Sequence, residues 1–451
     1  MPILHAKSAL LPSGWVQDVT VSISEDGVIT GLDAAAAETQ VDILLPAPAN
    51  VHSHAFQRAM AGLTERRGTG AQDTFWTWRQ MMYRFLDHLT PEDVGAITAL
   101  VQMEMLEAGY AAVGEFHYLH HQPGGEPYAD LAEMSQQICA AAAQTGIGLT
   151  LLPVLYQQGG VDGRELAPGQ IRFGNEPDRF MMLLEGARSA LAHLPRDAVL
   201  GSAPHSLRAV TPQALEQISA AVTGPLHMHL AEQVPEVDEI QAAYGARPVR
   251  WLLDNLPPDK RWCLIHCTQM QPDETTDLAA TGAVAGLCPI TEASLGDGIF
   301  DGARWLSAKG NLAIGSDSNI RISLSEELRQ LEYTQRLRDH ARAVLAETGG
   351  STARRLYDAA LAGGAQATGR KSGQIAPGYR ADLLALDGNA VDLVGRSDDT
   401  VLDTWIFTAG DKLVCDVWAA GRHVVKDGRH IRRDAILADY RRTMRRLASA
   451  I

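Results

Sequence analysis

The stretch Pro46-Ala47-Pro48-Ala49-Asn50-Val51-His52-Ser53-His54 decides the fold prediction, because it joins an apolar run to two histidines one residue apart. The run Ile43-Leu44-Leu45 leads into it. Side chains alternate between the faces of a strand, so His52 and His54 would direct two imidazoles at one point. That arrangement is suited to a metal site, although an HxH pair by itself is more often incidental.

Length and composition narrow the class of protein. The 451 residues suffice for a barrel with insertions and a smaller module. A net charge of -15 argues against a nucleic-acid-binding surface. The five scattered cysteines predict reduced thiols. The N-terminus has no apolar signal region, and no apolar run approaches ~18 residues, which predicts a soluble cytoplasmic protein with no membrane contact.

From about residue 47, short apolar runs alternate with amphipathic segments. After the opening strand, the runs are residues 111–116, 149–155, 199–203, 225–230, 262–265, 283–288 and 312–315. The helical segments include residues 91–108, 128–145, 178–193, 212–222, 234–244 and 273–281. This alternation predicts an α/β fold with a parallel sheet, and eight strands predict a closed (β/α)8 TIM-like barrel. An open doubly wound sheet is the alternative, disfavoured because no GxGxxG follows the first strand.

The two ends of the chain have a different pattern. Residues 1–46 are predicted to form short strands, and strands return at residues 381–386 and 416–425 after two long helices, 325–346 and 351–368. We therefore expect a composite small β domain from residues 1–46 and 370–430. The barrel is expected to span residues 47–369, and a C-terminal helical segment residues 431–451.

Potential metal ligands and polar groups fall where the barrel strands end. In such barrels the reactive residues lie at the C-terminal ends of the strands. The strand-end residues are His52 and His54 on strand one, Tyr118 on strand two, His205 and Arg208 on strand four, His229 and Glu232 on strand five, His266 on strand six and Asp317 on strand eight. Strands three and seven end without an obvious ligand. A lone strand-end histidine is usually a core or loop residue, so the joint pattern favours a metal site.

Three imidazoles and one carboxylate make a ligand set suited to Zn2+, with room for a water; iron is also possible. The predicted ligands are His52, His54, His229 and Asp317. Bound metal lowers the pKa of water towards ~7. Asp317 and His266 would hold the hydroxide, and Glu232 would carry its proton to the leaving group, so these three are the predicted catalytic residues.

With these motifs the sequence resembles the amidohydrolase superfamily over nearly its whole length. The matching motifs are His52-x-His54, His229-x-x-Glu232, His266 and Gly315-Ser316-Asp317, followed by residues 373–383, which resemble the return to the family's composite β domain. Many relatives have Asp two residues before the HxH pair. Here that residue is Asn50, as in the deaminase branch.

The distribution of lysine bears on the number of metal ions. Binuclear relatives bridge two metals with a carboxylated lysine, usually at the end of strand four. This chain has no lysine from residue 8 to 259, and strand four ends in His205. We therefore expect one metal ion per chain, which favours deamination of a C=N centre over two-metal ester or amide hydrolysis.

Longer motifs resemble, more narrowly, the N-formimino-L-glutamate deiminase family of histidine degradation. They are residues 50–63, 75–79, 115–118, 205–211 and 296–300. The resemblance implies that Gln57, Arg79, Tyr118, His205 and Arg208 contact the substrate, and it suggests a homodimer. Residues 66–73, which contain glycines, are the candidate for a loop that closes over the site.

The expected chemistry agrees with these residue types. A dicarboxylate with a formimino group needs fixed cations, and the guanidinium groups of Arg79 and Arg208 can bind carboxylates with two hydrogen bonds. Glu232 would pass a proton from water to the imino nitrogen, hydroxide would attack the formimino carbon, His266 would support the developing charge, and ammonia would leave. No organic cofactor is implied.

Three alternatives remain open. One is deamination of a purine or related ring, and another is a sister N-formimino or N-guanidino acid. The third is a catalytically inactive binding protein.

Overall fold

The structure is a computed structural model that describes residues 3–32, 37, 39–65 and 75–449; the side chains of residues 75–77 and 80 also lie outside the description. The loop candidate at residues 66–73 is therefore outside the described residues. The strands are β1 (Ile3–Leu11), β2 (Gly14–Ile23), β3 (Ile29–Gly31), β4 (Thr39–Pro46), β5 (Ala49–Ser53), β6 (Ala112–His117), β7 (Gly148–Leu155), β8 (Val199–Leu200), β9 (Ala203–Pro204), β10 (Leu226–Leu230), β11 (Trp262–His266), β12 (Val284–Leu287), β13 (Asn311–Ile314), β14 (Leu383–Leu386), β15 (Val414–Ala419), β16 (Arg422–Lys426) and β17 (Arg429–His430).

The α-helices cover the faces of the sheets and connect most of the later strands. They are α1 (Phe75–Leu86), α2 (Pro91–Glu107), α3 (Glu133–Thr145), α4 (Pro177–Leu191), α5 (Pro212–Ala221), α6 (Val234–Tyr244), α7 (Pro248–Asn255), α8 (Pro272–Ala280), α9 (Pro289–Leu295), α10 (Gly302–Ser307), α11 (Leu324–Asp339), α12 (Thr352–Ala367), α13 (Asp399–Thr404) and α14 (Arg433–Ala448). Short 3-10 turns include Ala55–Met60 and Ile171–Phe173.

Two parallel sheets carry the predicted site strands. One has the order β5-β6-β7-β8, with β9 also paired to β7, and the other has the order β10-β11-β12-β13. Isolated parallel bridges join Ser53 to Asp317 and Ser202 to Leu226, so the edges of one sheet meet those of the other. The prediction of an α/β fold with parallel sheets is confirmed.

The composition of the strands explains their burial on both faces. Every residue of β6, β7, β10 and β11 is buried, as expected for near-continuous apolar runs packed under helices. The predicted strand 199–203 is interrupted between Leu200 and Ala203. Gly201 lies there with no room for a side chain, because a Cβ would stand 2.6 Å from the carbonyl oxygen of Pro225.

An eight-stranded sheet in the described part of the chain combines strands from both ends. Its order is β17-β16-β15-β14-β4-β1-β2-β3, and the two ends meet where β4 pairs antiparallel with β14, Leu45 opposite Leu384. A buried apolar cluster that includes Val21, Leu44 and Trp418 packs on it.

One predicted helix, 325–346, is too long and needs correction. Helix α11 ends at Asp339, because His340 adopts a left-handed conformation with φ 52°. The carboxylate of Glu332 then accepts the backbone N–H groups of Val344 and Leu345, at 2.9 and 3.0 Å. These hydrogen bonds hold the following segment back against α11 instead of extending it.

No helix within the described residues is both long and apolar enough to cross a membrane.

Candidate active site

Four predicted ligands converge where the ends of β5, β10 and β13 meet. The ring nitrogens of His52, His54 and His229 lie within 4.8 Å of one another. The Nε2 atoms of His52 and His229 are 3.2 Å apart. Asp317 Oδ1 lies 3.5 Å from His52 Nε2 and 3.3 Å from His54 Nε2. All four side chains are buried, so the structure brings the whole predicted ligand set together.

The other ring nitrogens show which atoms face the centre. His54 Nδ1 donates to the carbonyl of Phe116 at 2.9 Å, and His229 Nδ1 donates to that of His205 at 3.2 Å. Their Nε2 atoms therefore present lone pairs to Asp317 and His52. Backbone bonding of the outer nitrogen is the usual way in which a ligating histidine is oriented.

Electrostatics favours the ligand forms of these groups. Burial lowers the pKa of His52 to about 3, and it also lowers the pKa values of His54 and His229. Burial opposes ionisation of Asp317, but hydrogen bonding to His52 and the nearby imidazoles hold its pKa below the ordinary value. Neutral imidazoles and an ionised carboxylate thus point acceptor atoms at one spot, an arrangement that a cation stabilises. The residues present therefore fit a metal ion.

Asn50 fastens the two segments that carry the ligands. Its Oδ1 accepts the backbone N–H groups of His52 and Ser316, at 3.3 and 3.1 Å. Its Nδ2 donates to Ser316 Oγ at 2.6 Å. The His54 N–H also donates to the carbonyl of Asp317 at 2.9 Å, and Asp317 itself has a left-handed φ of 47°. An amide at position 50 therefore holds the end of β5 against the chain that follows β13.

Hydrogen bonds fix the backbone of Glu232 beside the ligand cluster. Its backbone N–H donates to Glu236 Oε2 at 2.9 Å, and its backbone carbonyl accepts a hydrogen bond from Thr268 Oγ1 at 2.7 Å. The preceding Ala231 has a left-handed φ of 51°, which turns the chain as it leaves β10. Burial raises the pKa of Glu232 to about 7, a value suited to proton exchange near neutral pH.

His266 lies between three carboxylates at the end of β11. Its Nε2 is 3.8 Å from both Glu232 Oε1 and Asp317 Oδ2, and its Nδ1 donates to Glu292 Oε1 at 3.3 Å. Burial opposes its imidazolium form, but the charge of Glu232 and the contacts with Glu292 and Asp317 raise the pKa of His266 to about 10. A protonated His266 can donate a hydrogen bond towards the centre.

The ligand cluster opens into a cleft that contains about 570 Å³ of empty space, including solvent at its mouth. The predicted residues that line it are His54, Gln57, Arg79, Tyr118, His205, Arg208, His229, Glu232, His266 and Asp317. His52 is fully buried beside it. The structure thus brings together every site residue that the sequence predicted.

Both predicted arginines lie in the walls of this cleft. Arg79 Nη2 donates to the hydroxyl of Tyr156 at 2.9 Å, and its guanidinium lies over the ring of Tyr83, 5.3 Å from the centroid. Arg208 follows β9 and is buried. Gln57 Nε2 donates to the hydroxyl of Tyr118 at 2.6 Å. Charged donors therefore face the same space as the metal ligands.

Sequence reasoning missed several residues around the cleft. Tyr156 directly follows β7, the third site strand, and it lines the cleft with Phe173 and Tyr83. Glu292, which orients His266, lies on α9. The position of Tyr156 after a strand was an available signal, whereas Phe173 comes from a short 3-10 turn that carries no recognisable motif. Trp78 also lines the cleft.

Comparison with known proteins agrees with this arrangement. Residues 43–424 match the amidohydrolase family, and residues 1–42 match the N-terminal domain of formimidoylglutamate deiminase HutF. The chain is 50% identical over 437 residues to the formimidoylglutamate deiminase of Pseudomonas aeruginosa, covering 95% of this chain and 96% of that one.

Two solved structures extend the comparison. An amidohydrolase from Brucella melitensis is 46% identical, with a TM-score of 0.94 over 99% of this chain and 100% of that one. An adenosine deaminase from Xanthomonas campestris with bound zinc is 22% identical, with a TM-score of 0.80 over 99% of this chain and 98% of that one, which shows a shared fold alone. With its metal-ligand cluster at the strand ends, this chain belongs to the amidohydrolase family.

Proposed function

We propose that the chain hydrolyses N-formimino-L-glutamate to N-formyl-L-glutamate and ammonia, a deimination step of histidine degradation. The likeness to the Pseudomonas aeruginosa formimidoylglutamate deiminase supports this reaction because it extends over both chains almost end to end. The match of residues 1–42 to the N-terminal domain of the same enzyme supports it independently of the metal-binding part.

One observation carries the proposal: two arginines and a metal-ligand cluster line the same cleft. Arg79 and Arg208 supply fixed cations for a substrate with two carboxylates, and Arg binds carboxylates with paired, charge-assisted hydrogen bonds. Deamination of a neutral purine ring needs no such pair. Gln57, Tyr118 and His205 add polar groups that can orient the formimino nitrogen or a carboxylate.

We assign one Zn2+ per chain to His52, His54, His229 and Asp317. A bound zinc ion supplies Lewis-acid activation of water at neutral pH. The three-imidazole, one-carboxylate set suits zinc, and iron is the alternative. A single metal agrees with the absence of lysine from residue 8 to 259.

The remaining chemistry belongs to the side chains of this protein. Glu232 removes a proton from the attacking water and delivers it to the imino nitrogen, a role that its raised pKa favours. His266 donates a hydrogen bond to the charge that develops, while Glu292 fixes its ring. Arg79 and Arg208 hold the carboxylates, so the formimino carbon faces the metal site. The proton of the new hydroxyl group then passes to the same nitrogen, the C–N bond to it breaks, and ammonia leaves as the formyl C=O forms.

The proposal also covers the architecture of the chain. The two parallel sheets form a (β/α)8 barrel over residues 47–369, supported by the bridges Ser53–Asp317 and Ser202–Leu226. We assign residues 1–46 and 370–430 to the small β domain, which the shared eight-stranded sheet supports, and residues 431–451 to a C-terminal segment, in which helix α14 spans Arg433–Ala448.

Two further assignments belong to this proposal. A cytoplasmic location agrees with five free cysteines. A homodimer is the assembly that the family resemblance suggests.

A coupled ammonia assay tests the reaction. The purified zinc-loaded protein is offered N-formimino-L-glutamate, N-formimino-L-aspartate, guanine and adenosine, each across a range of concentrations. We expect the highest kcat/KM with N-formimino-L-glutamate. Turnover of the purines alone would refute the proposal, and a higher kcat/KM with the aspartate analogue would change the substrate assignment.

A further inference from the structure

The segment Gln170–Phe173 is part of the connection between β7 and α4, and three of its four residues are buried. Gln170 is 4% exposed, Arg172 1% and Phe173 2%. Of these, Phe173 lines the cleft, with its ring centroid 4.8 Å from that of Tyr118. Burial of an arginine in a connecting segment is unusual and requires hydrogen-bonding partners.

Arg172 has partners at the end of α1 and in the segment after β6. Its Nη1 donates to the carbonyl of Leu86, the last residue of α1, and its Nη2 donates to that of Leu89 at 3.1 Å. Its Nε donates to the carbonyl of His121 at 2.7 Å. Carbonyls at a helix C-terminus have no partners within the helix, and a cation there is favourable. Arg172 therefore fastens the end of α1 to the segment after β6.

The backbone of the same residue strengthens this joint. Its carbonyl accepts the N–H groups of His120 and His121, both at 3.0 Å. One residue thus links the segment after β6, the segment after β7 and the end of α1. These are the segments that bring Tyr118, Tyr156 and Arg79 to the cleft.

A second contact from this segment reaches Arg79 itself. Gln170 Nε2 donates to the Tyr156 hydroxyl at 2.8 Å, and the same hydroxyl accepts Arg79 Nη2 at 2.9 Å. The segment therefore controls both the position of α1, through Arg172, and the orientation of the Arg79 side chain, through Gln170 and Tyr156.

We propose that Arg172 and Gln170 are positioning residues for substrate binding, which place Arg79 against a substrate carboxylate without touching the substrate themselves. This inference rests on the proposed function, because it takes a carboxylate of N-formimino-L-glutamate as the partner of Arg79. A lysine cannot replace Arg172, since an ammonium lacks the planar fork that reaches several carbonyls at once.

Steady-state kinetics with N-formimino-L-glutamate test the proposal. We expect Arg172→Lys and Gln170→Leu each to raise KM, by about tenfold for Arg172→Lys, with little change in kcat or in zinc content. Arg179→Met is the matched control, since Arg179 bonds Asn175 and Gly174 next to the same segment. That variant should keep the wild-type KM.

A double-variant cycle separates positioning from general destabilisation. If Arg172 and Gln170 act through Arg79, combining either substitution with Arg79→Met should lower kcat/KM no further than Arg79→Met alone. If the reductions in kcat/KM of the two single variants multiply in the double variant, the proposal is wrong. A fall in kcat or in zinc content at unchanged KM would also overturn it. If Arg172→Lys does not fold, Gln170→Leu carries the same test.

The two proposals fail in different ways. If the wild-type protein releases no ammonia from N-formimino-L-glutamate, the proposed function is wrong. If the wild-type protein does so and the effects multiply, only the positioning role is wrong.

Discussion

At the scale of single residues, the site depends on pairs that orient one another. Asn50 aligns the backbone at His52 and Ser316, and Glu292 orients His266. Such supporting groups set the direction of each reactive side chain, and removing them costs activity without removing the reactive group itself.

Glu232→Gln should reduce kcat by a factor of about 10² to 10⁴, because the amide cannot carry the proton that general acid–base catalysis requires. Zinc content should stay at the wild-type level, since Glu232 is outside the proposed ligand set. Ammonia release and metal analysis of the same sample measure both. Glu239→Gln, on helix α6, which begins two residues after Glu232, is the control that should retain activity. Full activity in Glu232→Gln would exclude the proton-transfer role.

His52→Ala should lose the metal, because it removes one of the four proposed ligands that converge on the site. Metal analysis of the purified variant should give far less than the single ion per chain expected for the wild type. His423→Ala is a suitable control, since His423 pairs with Asp416 in the strands near the C-terminal end. Two ions per wild-type chain would contradict the argument from the missing lysine.

At the scale of elements, close packing of helices on strands places the strand ends. Helix α12 packs on β13, the strand that precedes Asp317, and Gly363 lies at that contact. A Cβ on Gly363 would stand 2.0 Å from the carbonyl oxygen of Leu312. Glycine is needed here because backbone lies against backbone.

Gly363→Ala should therefore destabilise the protein by about 1–3 kcal/mol or more, the usual range for overpacking, although alanine is the better helix former. Urea unfolding followed by circular dichroism measures the change. Gly95→Ala on α2 is the matched control, because the one atom that its Cβ would approach closely is the movable end of the Gln137 side chain, at 3.0 Å. The control should be neutral or slightly stabilising. Equal effects of the two substitutions would show that the packing argument is wrong.

At the scale of the whole molecule, a buried ion network joins the parallel sheets to the sheet built from both chain ends. Asp197, which precedes β8, accepts hydrogen bonds from Arg370 at 3.1 Å and from Arg422 of β16 at 2.8 and 2.9 Å. Arg370 also binds Asp382, which directly precedes β14. The two arginines thus bridge segments more than 170 residues apart in sequence.

Asp197→Asn should lower the free energy of unfolding at pH 7 by about 3 kcal/mol, because it leaves buried arginine charge less compensated. Burial opposes ionisation of Asp197, but its hydrogen bonds with Arg422 and the charge of Arg370 lower its pKa. The stabilisation is therefore complete above the unfolded pKa of about 3.9 and is lost as the pH falls through the lower folded value.

Denaturant unfolding at several pH values measures this difference. The difference in the free energy of unfolding between wild type and Asp197→Asn should be largest near neutral pH. It should disappear under strongly acidic conditions, where the wild-type carboxyl is protonated and therefore also uncharged. Asp162→Asn, in an exposed pair with Arg164, is the control and should show little change. A gap that persists unchanged in acid would exclude the ionic origin.

The sequence by itself determined the types of element, their alternation and the set of candidate metal ligands. Apolar periodicity and residue type are local properties, so β10, β11 and the His52–His54 pair could be predicted without coordinates. The early end of α11 and the split of the strand at residues 199–203 could not, because hydrogen bonds that the Glu332 carboxylate accepts and the close approach of Pro225 decide them.

Only the tertiary structure decided which distant residues support the site. Glu292 meets His266, and Arg172 meets the end of α1, through hydrogen bonds that no local pattern announces. The distance between two such groups depends on how the strands and helices pack against one another, and that packing is the summed result of contacts over the whole chain. The residue types therefore indicated the chemistry of the site, whereas the fold set the relative positions of its residues.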